Sequence, residues 1–172
     1  MKRAELFTEL QNWLRAAEFA FDSDQDNAAL AFAVNGKRGQ WSCRVICEDD
    51  PPALQVICRF PIAVPADKVV AVGLLLHNFN FRVSLGAFTL ATEERGIGFR
   101  LPFPIRPEAP LSEQFEHAIG TACRTCDDAF QTLALFVCDT PEANKLLNEL
   151  RPNAELLSSR TSSLTGGRLE LN

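Results

Sequence analysis

Three alternating runs between Ala29 and Phe60 constrain this chain more than any other feature. Leu30, Phe32 and Val34 alternate with Ala29, Ala31 and Ala33. After an Asn35-Gly36 turn signal, Trp41, Cys43, Val45 and Cys47 alternate with Ser42, Arg44, Ile46 and Glu48. Past Asp49-Asp50-Pro51-Pro52, Leu54, Val56, Cys58 and Phe60 alternate with Gln55, Ile57 and Arg59. A period of two places successive side chains on opposite faces, so each run predicts a strand with one face in a core and the other half wet. Turns this short join antiparallel neighbours.

The flanks read as helices and two more strands. Leu6, Leu10, Trp13, Leu14 and Ala17 recur at helical spacing and predict a helix over 3–18. The stretch Asp22 to Asn27 reads as a polar turn. Val64-Pro65-Ala66-Asp67 opens a helix that runs to about Asn80 and is apolar nearly all round. Strands are expected over Gly86–Thr92 and Gly96–Leu101, joined by Glu93-Glu94-Arg95. Pro102, Pro104, Pro107 and Pro110 are expected to end regular structure. Ser112 reads as the cap of a long helix with one apolar stripe: Phe115, Ile119, Ala122, Cys126, Phe130, Leu133 and Val137. Thr140-Pro141-Glu142 predicts a short helix to Leu150. The expected fold is therefore α+β: an antiparallel sheet of about five strands packed on helices, in the order α-β-β-β-α-β-β-α, plus a short C-terminal helix. Residues 1–150 form one domain in this reading, and the Ser- and Gly-rich stretch 151–172 a flexible tail.

Composition narrows the partners. A net charge of -5 argues against nucleic acid, whose phosphates need a basic field, and against an anionic membrane surface. No apolar run approaches the roughly 20 residues of a membrane span. Glu5, Glu9 and Arg15 break up any leader-like apolar stretch, so a cytoplasmic location is expected, with the six cysteines as reduced thiols.

The candidate chemistry is sparse. Cys123-Arg124-Thr125-Cys126 has the spacing of a redox or zinc pair. It falls well inside the long helix, however, away from the N-terminal dipole that lowers a thiol pKa, and Cys126 lies on the apolar stripe. Cys43, Cys47 and Cys58 alternate into the core face. His77 and His117 are the only histidines, no Gly-x-Ser-x-Gly elbow occurs, and Gly96-Ile97-Gly98 belongs to a hairpin. Asp22, Asp24 and Asp26 lack the glycine and bidentate glutamate of a calcium loop. No catalytic residue, metal or cofactor is expected. The leading reading is a non-enzymatic protein-binding module; the alternative is a thiol-redox or metal protein using Cys123 and Cys126.

Two surfaces could serve binding. Arg44, Ile46, Ile57, Arg59 and Arg100 alternate outward and could dock an acidic, apolar segment of another protein. The plainer reading is a solvated face neutralised by Glu48 and other acids. Val69, Val72, Leu76 and Phe79 on the second helix could form a homodimer interface, or that helix could be wedged between the sheet and the long helix. A contact made by the tail is a further option.

Several segments carry a family likeness: Arg59-Phe60-Pro61-Ile62-Ala63-Val64-Pro65, Leu75-Leu76-His77-Asn78-Phe79-Asn80-Phe81-Arg82, Leu85-Gly86-Ala87-Phe88-Thr89-Leu90, and Leu111-Ser112-Glu113-Gln114 opening the last long helix. With the order of elements, they resemble YbjN-type domains, labelled bacterial sensory transduction regulators, which share a fold with type III secretion chaperones. The resemblance spans roughly residues 5–137. It departs at His77 and Phe79 and after Val137. It implies a small, acidic, non-enzymatic protein, homodimeric and in contact with other proteins, with no catalytic residues to carry over.

Overall fold

A computed structural model describes residues 1–91 and 93–138. The order is α1 (Arg3–Ala16), β1 (Asp22–Asp24), β2 (Ala29–Asn35), β3 (Gln40–Asp49), β4 (Pro52–Ala63), a 3₁₀ turn (Ala66–Lys68), α2 (Val69–Asn80), β5 (Ala87–Ala91), β6 (Gly96–Pro104) and α3 (Leu111–Val137). The strands form one antiparallel sheet in the order β1-β2-β3-β4-β6-β5. The expected helix from Thr140 to Leu150 and the tail lie outside the described residues.

The sheet differs from the expectation in two places. Asp22–Asp24 is a sixth strand, paired with Ala29–Ala31 at the edge. Backbone pairing and the hydrogen bond from Gln11 Nε2 to Ser23 Oγ (2.9 Å) hold it, so it shows no apolar alternation. β6 also continues through Pro102 to Pro104. Its pairing with β5 ends at Arg100, so beyond that point β6 has a neighbour on the β4 side only. Proline is tolerated where no ladder partner needs its missing N–H.

The inward sets of the three alternating runs form the core. Trp41, Cys43, Val45, Cys47, Leu54, Val56, Cys58 and Phe60 are all buried, together with Phe99 and Leu101 of β6. All three helices contribute to that one core cluster. α1 lays Leu6, Leu10 and Leu14 against β3, and α2 lies against β5. α3 crosses β4 and β6; its 27 residues reach about 40 Å at 1.5 Å per residue. The opposite face of the sheet carries no helix among the described residues.

The start of α3 corrects a detail. Ser112 lies inside the first turn and makes no cap bond; Pro110 is the boundary residue. The buried Gln114 instead organises the approach. Its Oε1 accepts the Arg106 N–H (2.8 Å), and its Nε2 donates to the carbonyls of Arg106 (3.0 Å) and Ala109 (2.9 Å). At the other end, Lys68 Nζ donates to the Val137 carbonyl (3.1 Å), a cation set on the negative end of the helix.

Asn80, the last residue of α2, closes part of the β5 edge. The Phe88 N–H donates to Asn80 Oδ1 (2.7 Å), and Asn80 Nδ2 donates to the Phe88 carbonyl (3.1 Å). A side-chain amide thus stands where a neighbouring strand would pair. Asn80→Ala is expected to cost about 2 kcal/mol in urea unfolding, because two part-buried backbone groups lose their partners. Exchange of the Phe88 amide should rise with it. An unchanged midpoint and unchanged exchange would show that water replaces the amide.

Candidate partner-binding surface

The open face of the sheet is a set of cross-strand rows fixed by register. One row runs Asp22, Ala31, Arg44, Ile57, Arg100, Ala87 across all six strands. Arg44 and Arg100 therefore flank Ile57, two strand spacings or roughly 10 Å apart. Arg59 sits in the next row between Ser42 and Gly98, and Ile46 in the row on the other side, between Ala29 and Gln55. All five residues expected at this surface share it. The arginines are exposed and the isoleucines half-buried.

Each guanidinium already has a polar neighbour. Arg44 Nη2 lies 3.1 Å from Asp24 Oδ2, and Arg59 Nη1 lies 3.3 Å from Glu94 Oε2. Arg100 Nε donates to Gln55 Oε1 (3.0 Å), whose Nε2 donates to Glu48 Oε2 (3.3 Å). Hydrogen bonds from the Asn27 side chain and backbone, with Arg44 adding to them, hold the Asp24 carboxyl below its ordinary value. Exposed pairs of this kind contribute under about 1 kcal/mol each, so an incoming carboxylate can exchange for them at little cost. Two hollows open beside the arginines. One of about 300 Å³ is lined by Ile57, Arg59, Thr89 and Glu94, and one of about 250 Å³ by Asp22, Asp24, Ala31 and Arg44.

α2 presents a different face from the one expected. Val72 and Leu76 are 0% and 3% exposed within this chain's own core, and Val69 and Phe79 are half-buried against it. What α2 leaves outward is Val70 (76% exposed) and Leu74 (63%), followed by Phe81 and Leu85. The helix is apolar nearly all round, yet only one stripe of it can reach β5 and the core.

A larger hollow of about 490 Å³ lies between the loop after α2 and the exposed side of α3, lined by Phe79, Arg82, Val83, Leu85, His117 and Asp128. Sequence periodicity could not reveal it, because its walls come from segments distant in the chain. His117 rests against Phe103, with ring centroids 5.7 Å apart, and His77 against Phe81, at 4.8 Å.

Cys123 and Cys126 do not sit at a helix end; both lie in the middle of α3, Cys126 buried and Cys123 half-buried. Thiol–thiol interactions link Cys43 to Cys123 and to Cys58, and Cys58 to Cys126. They push the Cys43 and Cys126 pKa values up and draw that of Cys58 down against its burial. Cys47, outside this group, is pushed up to about 12 by burial. Among the described residues, no group of three or more His, Cys, Asp or Glu is arranged to hold a metal ion. No helix among them is long and apolar enough to cross a membrane.

Comparison with known proteins follows this architecture. A chain from the crystal structure of the ExsC–ExsE complex superposes with a TM-score of 0.51 at 10% identity, covering 80% of this chain and 98% of that one. A chain from the HopA1–SchA chaperone–effector complex gives 0.47 at 12% identity, covering 76% and 98%. At such identity the first likeness shows the fold alone. No curated protein matches the sequence. Residues 7–135 match the profile of the family YbjN, described as "Putative bacterial sensory transduction regulator". That match takes in α1, the whole sheet, α2 and nearly all of α3, and by it this chain belongs to the YbjN family.

Proposed function

We propose that this protein is a non-enzymatic, chaperone-like binding module that holds an acidic, apolar segment of a partner protein across the open face of its sheet. The row Arg44–Ile57–Arg100 carries this reading: two exposed cations flank an aliphatic side chain on a sheet face that no helix of the described chain covers. Arginine forks suit carboxylates, and Ile46 and Ile57 offer the apolar contact between them. The likeness of fold to a chain from a protein complex supports a protein ligand. Both sheet edges suit strand addition poorly, since β1 has three residues and Asn80 occupies part of β5. The module acts in the cytoplasm as a homodimer, through the Val70 and Leu74 side of α2, where two large aliphatic side chains stand in water.

The test compares affinity capture, read by mass spectrometry, between the tagged wild type and the double variant Arg44→Glu, Arg100→Glu. Recovery of the protein enriched by the wild type should fall at least tenfold. The melting temperature should stay within about 2 °C, as surface changes away from the core rarely exceed ±0.5 kcal/mol. Equal recovery by both would place the ligand elsewhere.

A further inference from the structure

His117, Thr121, Thr125 and Asp128 fall on one stripe of α3, at helical steps of four, four and three. With the chain that leaves α2 they wall the hollow of about 490 Å³ described above. Its apolar lining is Phe79, Val83, Leu85 and Phe88; Phe88 is buried in the core, and Leu85 is 46% exposed. A second hollow of about 530 Å³ shares Leu85 and His117 with it and continues past Pro102 and Phe103. Both have the size of small-molecule sites, roughly 300–1,000 Å³.

The polar side of the first hollow offers donors and no free carboxylate. Asp128 is its one acid, and Arg38 already binds it. The Thr125 hydroxyl donates to the Thr121 carbonyl (2.9 Å). Thr121 Oγ1 accepts from Arg124 Nη2 (3.4 Å), which leaves its own proton to be given. Arg82 is exposed and makes no ion pair among the described residues. An uncompensated guanidinium, the hydroxyls of Ser84 and Thr121, and His117 thus stand beside aromatic and aliphatic side chains. The adjoining hollow has no such surplus, since its lining holds one cation, Arg106, and one acid, Glu113.

We propose that the first hollow binds a medium-chain fatty acid, whose carboxylate meets Arg82 and Thr121 while its chain lies along Phe79, Val83 and Leu85. Charge complementarity selects the head. A carboxylate meets an unpaired cation and neutral donors, whereas an ammonium head would meet Arg82 with like charge. Space selects the body, because the adjoining hollow past Leu85 lets a flexible chain run on toward Pro102 and Phe103. The site lies on the helix side of the sheet, so it does not depend on the docking proposed for the open face.

The test titrates the isotope-labelled full-length protein with decanoate, kept below its micelle-forming concentration, and separately with decanol and decyltrimethylammonium. Decanoate should give saturable shifts of the amides of Arg82–Leu85 and Thr121–Ala129, while those of Arg44 and Ile57 on the open face stay fixed. Decanol should bind at least about tenfold more weakly, the loss expected when hydrogen bonds to a charged group go unmade. Decyltrimethylammonium should give no saturable shift. Arg82→Gln should bring decanoate down to the level of decanol and leave the melting temperature unchanged, since the side chain is exposed. The comparison of the three ligands on the wild type needs no variant. Equal binding of decanoate and decanol, shifts centred on the open face, no saturation by decanoate, or full decanoate binding by Arg82→Gln would each overturn the assignment.

Discussion

Replacing Gly86 by valine is expected to lower stability by about 4 kcal/mol and the melting temperature by about 10 °C. Gly86 has φ of +83°, a left-handed conformation that a β-branched residue adopts only under strain. Space is equally restrictive. A Cβ built there would lie 2.6 Å from the Phe99 ring and 2.7 Å from the Arg100 carbonyl. Phe99 is fully buried and packs at a tilt against Phe88, so its ring has nowhere to retreat, and overpacking adds about 1–3 kcal/mol to the backbone strain. Each kcal/mol corresponds to about 2–4 °C for a chain of this size. Gly73→Ala is the control. A Cβ on Gly73 meets nothing within 4 Å, and the site is helical, so that change should be neutral or raise stability by up to about 1 kcal/mol. If both variants melt alike, the tight turn into β5 is not what the glycine serves.

Truncation of Phe115 to alanine should cost about 3–5 kcal/mol, the range for a large aromatic removed from a filled core. Phe115 is 1% exposed and meets Trp13 edge-on, with centroids 6.0 Å apart at 68°. It joins α1 to α3, and contacts between those helices are otherwise few. Loss of that ring should therefore loosen α1 before the sheet. In a Trp41→Phe background the remaining Trp13 emission should shift to the red at denaturant concentrations where far-ultraviolet circular dichroism still reports a folded sheet. A single coincident transition, with a loss under about 1 kcal/mol, would mean that the neighbours close over the vacancy.

The sequence predicted the central hairpin well and the long-range contacts poorly, for identifiable reasons. Alternation along β3 and β4 is local, and it placed every inward and outward residue of those strands on the observed side. The apolar stripe of α3 was legible in the same way. β1 was not, because three polar residues held by backbone pairing leave no periodic signal. The extension of β6 was hidden by its prolines, whose tolerance depends on where β5 stops. Asn80 and Gln114 could not be singled out, since the backbone groups they satisfy become neighbours only after the chain folds back. The outward side of α2 escaped for a related reason. Hydrophobicity says a helix prefers cover, and only the tertiary arrangement says which stripe receives it. For the sulfurs of the sheet, parity alone put Cys43 and Cys58 inside, where both are buried.

Among the described residues the helices lie on a single side of the sheet, which separates two kinds of selection along the same strand. Odd-numbered positions from Trp41 to Cys47 answer to the interior, and even-numbered ones from Ser42 to Glu48 answer to whatever approaches from outside. If the proposed docking holds, mutations at the even sites change the binding surface with little penalty to folding. A scaffold built this way can keep its interior while its outer surface drifts, so descendants with the same skeleton need not share a surface.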